Sequence, residues 1–130
     1  MIKRIQINST RRCEMIDITP QVAEAVREAG IDEGLCTVYC PHTTGAVTVN
    51  EGADPDVAAD ILARLERLAP PDAGYRHAEG NSDAHVKAAL IGPSVSIPIE
   101  NGRPALGTWQ RIFFCEFDGP RQRTALIKIS

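Results

Sequence analysis

The chain has 130 residues, enough to bury the core of one domain and too few for two. Hydrophobic residues make up 43% and charged residues 24%, as in ordinary globular proteins. The formal net charge of −3 argues against a nucleic-acid or membrane-surface partner, because both favour basic patches. No apolar run approaches the ~20 residues of a membrane span, and no targeting segment is recognisable. We therefore expect a single cytoplasmic domain over residues 1–130.

The pattern of apolar and polar residues alternates between strand and helix spacing. In chain order it predicts strands over 2–7 and 13–18, a helix from 19 to 30, strands over 35–40 and 46–50, helices from 54 to 70 and 82 to 91, and strands over 94–99, 106–117 and 123–129. Thr19 is the predicted N-cap of the first helix, and Gly30 its end. Asp54 is the predicted cap of the second helix, and Ser82 or Asn81 that of the third. These elements predict an α+β fold, with mostly antiparallel sheets and about three helices.

The four cysteines show no CxxC pair and none of the spacings of a zinc finger. They are Cys13, Cys36, Cys40 and Cys115. In a reducing compartment such residues behave as small hydrophobic side chains, so we predict four free and mostly buried thiols.

The three histidines all lie in polar segments, and none is part of an apolar stripe. His42 is in the loop 41–45, His77 is in the polar loop 72–81, and His85 is in the first turn of the third predicted helix. Three imidazoles with an open fourth position form a common catalytic metal site. The alternative is three surface histidines with local hydrogen bonds, since their spacing matches no named metal motif.

An acidic segment follows the predicted strand 46–50. Asp54 and Asp56 are explained by the helix that starts there, because carboxylates stabilise a helix N-terminus. Glu51 has no such explanation, and the ends of strands often display functional side chains. Glu51 is therefore a candidate for function, with a purely structural role as the alternative.

A glycine-containing loop leads into the third predicted helix through Asn81 and Asp83. Backbone N–H groups at a helix N-terminus can bind an anion, so a phosphate is expected to lie near Asn81 and His85. The signal is limited, because no glycine-rich phosphate-binding motif is present and acidic neighbours repel an anion.

Polar and aromatic residues also occur in and after the predicted strand 106–117. Gln110 could read the edge of a heterocycle, whereas strand alternation places Trp109 on the opposite face, where packing in the core is the more common role. Arg121 and Arg123 flank the final turn and are candidate phosphate ligands, with a solvated turn as the alternative.

Taken together, these segments resemble the YjbQ-like family, also known as the secondary thiamine-phosphate synthase enzyme family. The matching strings are HTT at 42–44, NEGADPDV at 50–57, HAEGNSDAH at 77–85, LGTWQ at 106–110 and FDGPR at 117–121. They cover nearly the whole chain in the family's order. The departures, at 45–46 and 103–105, touch no histidine or acid.

The resemblance implies a compact α+β fold that assembles as a homotrimer, with sheets packed around a threefold axis. It implies a weak thiamine-phosphate synthase activity that is thought to be secondary. It also implies that His42, His77 and His85 share a metal or anion site.

Under this hypothesis an enzyme joins hydroxymethylpyrimidine diphosphate to a thiazole phosphate and releases pyrophosphate. We expect His42, His77 and His85 to bind a divalent metal, zinc or magnesium, and Glu51 or Asp83 to orient water or an imidazole. Phosphate is expected to bind to Asn81, Arg121 and Arg123. The heterocycle is expected to contact Gln110 or Trp109. One alternative is a metal-dependent hydrolase of a small phosphorylated or cyclic metabolite. Another is a non-catalytic trimer that binds a metal or small ligand.

Overall fold

The computed structural model describes residues 2–130. Its elements are β1 (Ile2–Asn8), β2 (Glu14–Asp17), α1 (Thr19–Ala29), β3 (Gly34–Tyr39), β4 (Gly45–Glu51), α2 (Pro55–Leu68), α3 (Ser82–Ile91), β5 (Ser94–Glu100), β6 (Arg103–Pro104), β7 (Gln110–Glu116) and β8 (Gln122–Ile129). The predicted α+β fold with three helices is confirmed. Within residues 2–130, every helix is too short or too polar to cross a membrane.

The strands form two antiparallel sheets. The larger sheet has the order β1-β8-β3-β5-β6, and the smaller one has the order β2-β7-β4. In the larger sheet the first and last strands of the chain pair along their length, from Ile2 opposite Lys128 to Asn8 opposite Gln122. In the smaller sheet, β7 lies between two partners and brings Gly45 opposite Glu116. This register places the start of β4 beside the end of β7.

Two hydrophobic cores lie on either side of the smaller sheet. The first fills the space between one of its faces, α1 and the inner face of the larger sheet; it includes Val22, Val26, Val38, Ile97, Ile112, Phe114 and Ile127. The second lies on the opposite face, under α2 and α3, and includes Leu65, Ala84, Ala88, Phe113, Cys115 and Phe117. Phe113 and Phe114 are neighbours that point into different cores, as strand alternation requires.

The outer face of the larger sheet carries exposed apolar side chains. Ile2 on β1 and Leu35 and Tyr39 on β3 are all exposed. Charged and polar side chains, such as Arg4 and Lys128, lie between them on the same sheet. An apolar and polar mixture of this kind is found at many subunit interfaces.

The start of α1 differs from the prediction. Ile18, not Thr19, is the N-cap, and no side chain caps the helix. The Thr19 hydroxyl instead accepts a hydrogen bond of 2.7 Å from the backbone N–H of Ile112 on β7. The long-range partner explains the error, because a cap motif is judged from neighbouring residues alone. The predicted cap at Asp54 is confirmed by its bond from the Asp56 N–H, and Gly30 ends α1 in a left-handed conformation with φ 66°.

The predicted strand 106–117 is shorter in the structure. Residues before Gln110 form a turn, in which the Gln110 N–H donates to the carbonyl oxygen of Gly107 at 3.1 Å. Trp109 therefore lies outside the strand, and alternation does not apply to it. Its 65% exposure shows that the expected place in the core was wrong.

The cysteine prediction is confirmed for the described part of the chain. All four thiols are free, and Cys36, Cys40 and Cys115 are buried. Burial raises the pKa of Cys36 to about 11. These thiols therefore act as packing groups at neutral pH.

Replacing Thr19 by valine is expected to lower the free energy of unfolding by about 1–3 kcal/mol, because the buried Ile112 N–H loses its acceptor. Thr19→Ser keeps the hydroxyl and is the matched control. Urea denaturation of both variants measures the effect, and equal stabilities would contradict it.

Candidate functional site

A polar cavity of about 390 Å³ lies where three separate segments of the chain meet. We refer to it as the histidine cavity, and it is lined by Pro41, His42, Thr43, Thr44, Glu79, Asn81, His85, Asp118, Arg121 and Arg123. Five of the predicted site residues are among them. The fold brings these segments together because β4, α3 and β8 all begin at this edge of the molecule.

His42 is held in place by a backbone N–H of β8 and by an aromatic side chain. The Thr124 N–H donates a 3.0 Å hydrogen bond to its Nε2 atom. The edge of its ring meets Phe114, with ring centroids 6.5 Å apart and planes at 85°. Burial, and then the charge of Arg123, lowers the pKa of His42. His42 is therefore an immobilised, neutral imidazole at neutral pH.

His77 and His85 lie next to each other. Their ring centroids are 5.4 Å apart and their planes meet at 86°. His85 lines the histidine cavity, whereas His77 is exposed. The distance between the His77 Nε2 atom and a carboxylate oxygen of Glu79 is 3.6 Å. Two of the three histidines thus share the cavity, and the third borders on it through His85.

The structure does not bring the three histidines together as one set of metal ligands. Within residues 2–130, no three His, Cys, Asp or Glu side chains are grouped so that they could hold a metal ion. The Nε2 lone pair of His42 is already used, because it accepts the hydrogen bond from the Thr124 N–H. A divalent metal, zinc or magnesium, stays a prediction.

Arg123 is buried and belongs to the wall of the cavity. Its Nε atom donates to Glu116 at 2.8 Å and its Nη2 atom to the Thr44 hydroxyl at 2.8 Å, with a second bond from Nη2 to Glu116. Ser9 also donates to Glu116, at 2.7 Å. Burial opposes ionisation of Glu116, but the bonds from Arg123 and Ser9 outweigh it and lower the pKa of this carboxyl. Arg123 is thus engaged in structural contacts, which leaves little of it for the predicted phosphate.

Arg121 is the accessible cation of the cavity. Its side chain is 51% exposed, and it donates to the carbonyl oxygen of Asp118 at 2.8 Å and to the Asp118 carboxylate at 3.2 Å. These bonds fix the direction of the guanidinium without burying it. Arg121 is therefore better placed than Arg123 to meet an anion.

Asn81 bonds to the loop that follows β7. Its Nδ2 atom donates to Asp118 at 2.8 Å, and it forms no cap bond to α3. Its buried Oδ1 atom has no hydrogen-bond partner within residues 2–130. A buried carbonyl oxygen without a partner can accept a hydrogen bond from a donor group of a ligand or from a water molecule.

The second group of predicted residues lies at the opposite end of β4. Glu51 is opposite Gln110 in the sheet and accepts hydrogen bonds from the N–H groups of Ala53 and Asp54. Gln110 accepts a bond from the Gly107 N–H at 2.8 Å. Glu51 comes six positions after Gly45, which is about 20 Å along a strand. Glu51, Trp109 and Gln110 therefore do not reach the histidine cavity of their own chain.

Asp83, in the first turn of α3, is buried in a network of ion pairs. Arg12 donates to both of its carboxylate oxygens, at 2.9 and 2.8 Å, and Lys87 donates to it at 3.1 Å. Lys87 also donates to Glu66 at 2.7 Å. Asp83 is thus a structural residue that does not line the cavity, contrary to its predicted role of orienting water or an imidazole.

Sequence reasoning missed several residues of this edge. Thr44, Glu116 and Asp118 make the bonds that hold Arg121 and Arg123. Two of them carried a signal, because Thr44 belongs to the HTT string and Asp118 to the FDGPR string, whereas Glu116 belongs to no string. The spacing of Asp83 and Lys87, four residues apart on one helix, also predicts an ion pair.

The chain is similar to known proteins both in sequence and in structure. A sequence model of the family described as UPF0047 protein YjbQ-like matches residues 3–130. The UPF0047 protein YugU of Bacillus subtilis is 52% identical over 130 residues, which cover 99% of this chain and 98% of YugU. A UPF0047 protein of Methanocaldococcus jannaschii is 48% identical over 129 residues, which cover 99% of this chain and 94% of that protein.

Solved structures give the same result. An uncharacterised conserved protein of the YjbQ/UPF0047 family from Clostridium acetobutylicum has a TM-score of 0.97 and 49% identity, with 98% of this chain and 99% of that chain covered. A YbjQ-like protein of unknown function from Sulfolobus solfataricus has a TM-score of 0.95 and 32% identity, with 99% of this chain and 95% of that chain covered. These similarities support the fold and name no reaction.

Glu116→Gln is expected to lower the free energy of unfolding at pH 7 by about 3–5 kcal/mol, because it leaves the buried Arg123 without a charged partner. Since the pKa of Glu116 is lowered in the folded state, its contribution exists above the ordinary value of 4.5 and is lost as the pH falls through the folded value. Denaturation curves between pH 7 and pH 3 measure both effects.

The control for this prediction is Glu33→Gln, a change of the same charge on an exposed side chain. It should alter the stability by no more than about 0.5 kcal/mol. A Glu116→Gln variant as stable as this control would contradict the assigned role of the ion pair.

Proposed function

The chain belongs to the UPF0047, YjbQ-like family, and we propose that it is an enzyme whose histidine cavity binds a small phosphorylated metabolite. The observation that carries the proposal is that His42, His85 and Arg121, from three separate segments, line one cavity of about 390 Å³. Cavities of about 300–1,000 Å³ are typical of small-molecule sites. The family strings that carry these residues converge there as well.

The charges of the cavity support an anionic ligand with further polar groups. Arg121 offers an exposed guanidinium, the side chain that suits phosphate best. Asp118 and Glu79 also line the cavity, and they repel an anion from part of it. A phosphate is therefore expected beside Arg121, with hydroxyl or amino groups of the same molecule toward the carboxylates and Asn81.

We propose the reaction that the family resemblance implies. Hydroxymethylpyrimidine diphosphate loses pyrophosphate as its carbon–oxygen bond breaks, and the ring nitrogen of the thiazole phosphate forms the new carbon–nitrogen bond. Negative charge develops on the departing pyrophosphate. Arg121 and the imidazole donors of the cavity would stabilise that charge, which is the main contribution a protein makes to such a step.

We further propose that the protein acts as a homotrimer. The outer face of the larger sheet exposes Ile2, Leu35 and Tyr39, which suits contact with another subunit. Trp109, just before β7, is exposed too and lies at the end of β4 that is far from the cavity of its own chain. A neighbouring subunit would bring Trp109, Glu51 and Gln110 to that cavity and so give them the predicted roles toward the heterocycle.

The proposed location is the cytoplasm, where free thiols are kept reduced. The net charge of −3 supports a small-molecule partner in place of nucleic acid or a membrane surface. The proposed partners are thus a small phosphorylated metabolite and further copies of the chain.

The purified protein is expected to form thiamine phosphate slowly from hydroxymethylpyrimidine diphosphate and thiazole phosphate. Arg121→Gln should reduce the rate about a hundredfold, because the leaving pyrophosphate loses a charged donor. His85→Ala should reduce it as well. Product formation is followed by mass spectrometry, together with release of pyrophosphate.

Arg67→Gln, which removes an exposed arginine from α2, is the matched control and should leave the rate unchanged. Equal trace rates in the wild type and in His85→Ala would contradict the proposed reaction. Hydrolysis of phosphate esters that is lost on chelation would favour the metal-dependent hydrolase instead. Phosphate binding without turnover of any kind would favour the non-catalytic alternative.

Light scattering of the wild-type protein is expected to give the mass of three chains. The double variant Leu35→Lys, Tyr39→Lys should dissociate to monomers, because it places charges in the proposed interface. Leu90→Lys changes an exposed apolar residue on α3 and should stay trimeric. A monomeric wild type, or a double variant that stays trimeric, would contradict this assembly.

A further inference from the structure

The hydrogen bond between Thr124 and His42 determines which nitrogen of the imidazole carries the proton. A backbone N–H can only donate, so the Nε2 atom, 3.0 Å away, must offer a lone pair. A neutral imidazole has one N–H, and that N–H must then be on Nδ1. A peptide group of β8 thus selects the tautomer of a residue in the loop after β3.

The surroundings of His42 keep it in this form. The perpendicular contact with Phe114 fixes the ring plane, and the Cys40 thiol donates to the His42 carbonyl oxygen at 3.7 Å. A second proton would have to bind Nε2, where it would face the Thr124 N–H. Burial of the ring and the neighbouring positive charge of Arg123 oppose that proton too.

The charged groups around His42 come from several elements. Arg121 and Arg123 belong to the segment that enters β8, Glu116 ends β7, and Asp118 and Glu79 line the same cavity. Glu116 is already paired with Arg123. No hydrogen bond within residues 2–130 uses the Nδ1 atom of His42, and this atom is not among their buried unpaired polar atoms.

We propose that His42 is a fixed, neutral hydrogen-bond donor of the cavity, whose Nδ1–H binds an anionic oxygen beside Arg121 and does not bind a metal ion. An Nδ1 atom that carries a proton has no lone pair for a metal. Metal binding through Nδ1 would move the proton to Nε2 and break the bond from Thr124. An N–H group of this kind binds hydrogen-bond acceptors such as phosphate oxygens. It does not bind cations or ligands whose only polar groups are hydrogen-bond donors.

The identity of the bound group rests on the proposed function, but the tautomer does not. NMR spectra of the protein labelled with ¹⁵N-histidine contain the signals of three imidazole rings. The variants His77→Gln and His85→Gln each remove one set of signals and so assign the remaining ones. In the ligand-free protein at pH 7, the Nδ1 signal of His42 is expected at a pyrrole-type position and the Nε2 signal at a pyridine-type one. Inorganic phosphate and pyrophosphate should shift the Nδ1 signal, and one equivalent of Zn²⁺ should leave both signals unchanged.

Two outcomes overturn the tautomer and with it the proposal: a pyrrole-type Nε2, or a His42 Nδ1 signal that Zn²⁺ moves to the position of a metal ligand. The expected tautomer with no response to phosphate or pyrophosphate overturns the donor role and the proposed function together, while the tautomer itself stands. Failure of the synthase assay with a normal phosphate response rejects only the reaction.

Two variants separate the donor role from a structural one. His42→Asn keeps an amide donor near the position of Nδ1 and loses the acceptor for Thr124, whereas His42→Gln keeps an acceptor near Nε2 and loses the donor. We expect His42→Gln to weaken pyrophosphate binding about tenfold or more with little change in Tm. His42→Asn should show the reverse, with a lower Tm and nearly unchanged affinity.

Calorimetric titration with pyrophosphate and thermal denaturation provide the two measurements. A role limited to structure would make affinity and Tm fall together in both variants, and that result would overturn the proposal. Retention of affinity by His42→Gln would overturn it as well.

Discussion

The buried salt bridge between Glu116 and Arg123 joins the two sheets at the edge where the histidine cavity forms. Glu116 ends β7 in the smaller sheet, and Arg123 lies at the start of β8 in the larger one. Ser9, just after β1, donates a hydrogen bond to Glu116. The Thr44 hydroxyl, just before β4, accepts one from Arg123. Because a buried charge is costly without its partner, these four chain segments must meet in one arrangement.

The position of the site follows from that arrangement. Because the pairing with Glu116 fixes Arg123, the backbone on either side of it is fixed as well. Arg121 therefore faces the cavity, and the Thr124 N–H faces His42. His42 and Arg121 lie in loops, but hydrogen bonds to the Thr124 N–H and to Asp118 hold their side chains in place. This rigidity is what a site needs if it is to stabilise charge without rearranging first.

The sequence was most informative where neighbouring residues decide the structure. The cap at Asp54 and the end of α1 at Gly30 depend on a few adjacent residues, and both were predicted correctly. Sequence reasoning named five residues that line the cavity, and four of them lie in the family strings. Thr19 was misread because its partner, Ile112, lies far away in the chain, and so does Arg12, which donates to both carboxylate oxygens of Asp83. Periodicity cannot reveal such partners, since it describes one element at a time.

The alternation of Phe113 and Phe114 along β7 has a consequence for how the molecule unfolds. One ring belongs to the core under α2 and α3, and its neighbour belongs to the core under the larger sheet. Loosening either core shifts the backbone that the other core packs against. The two cores are therefore mechanically coupled, and the fold is expected to melt in a single cooperative transition even though its apolar residues form two separate clusters.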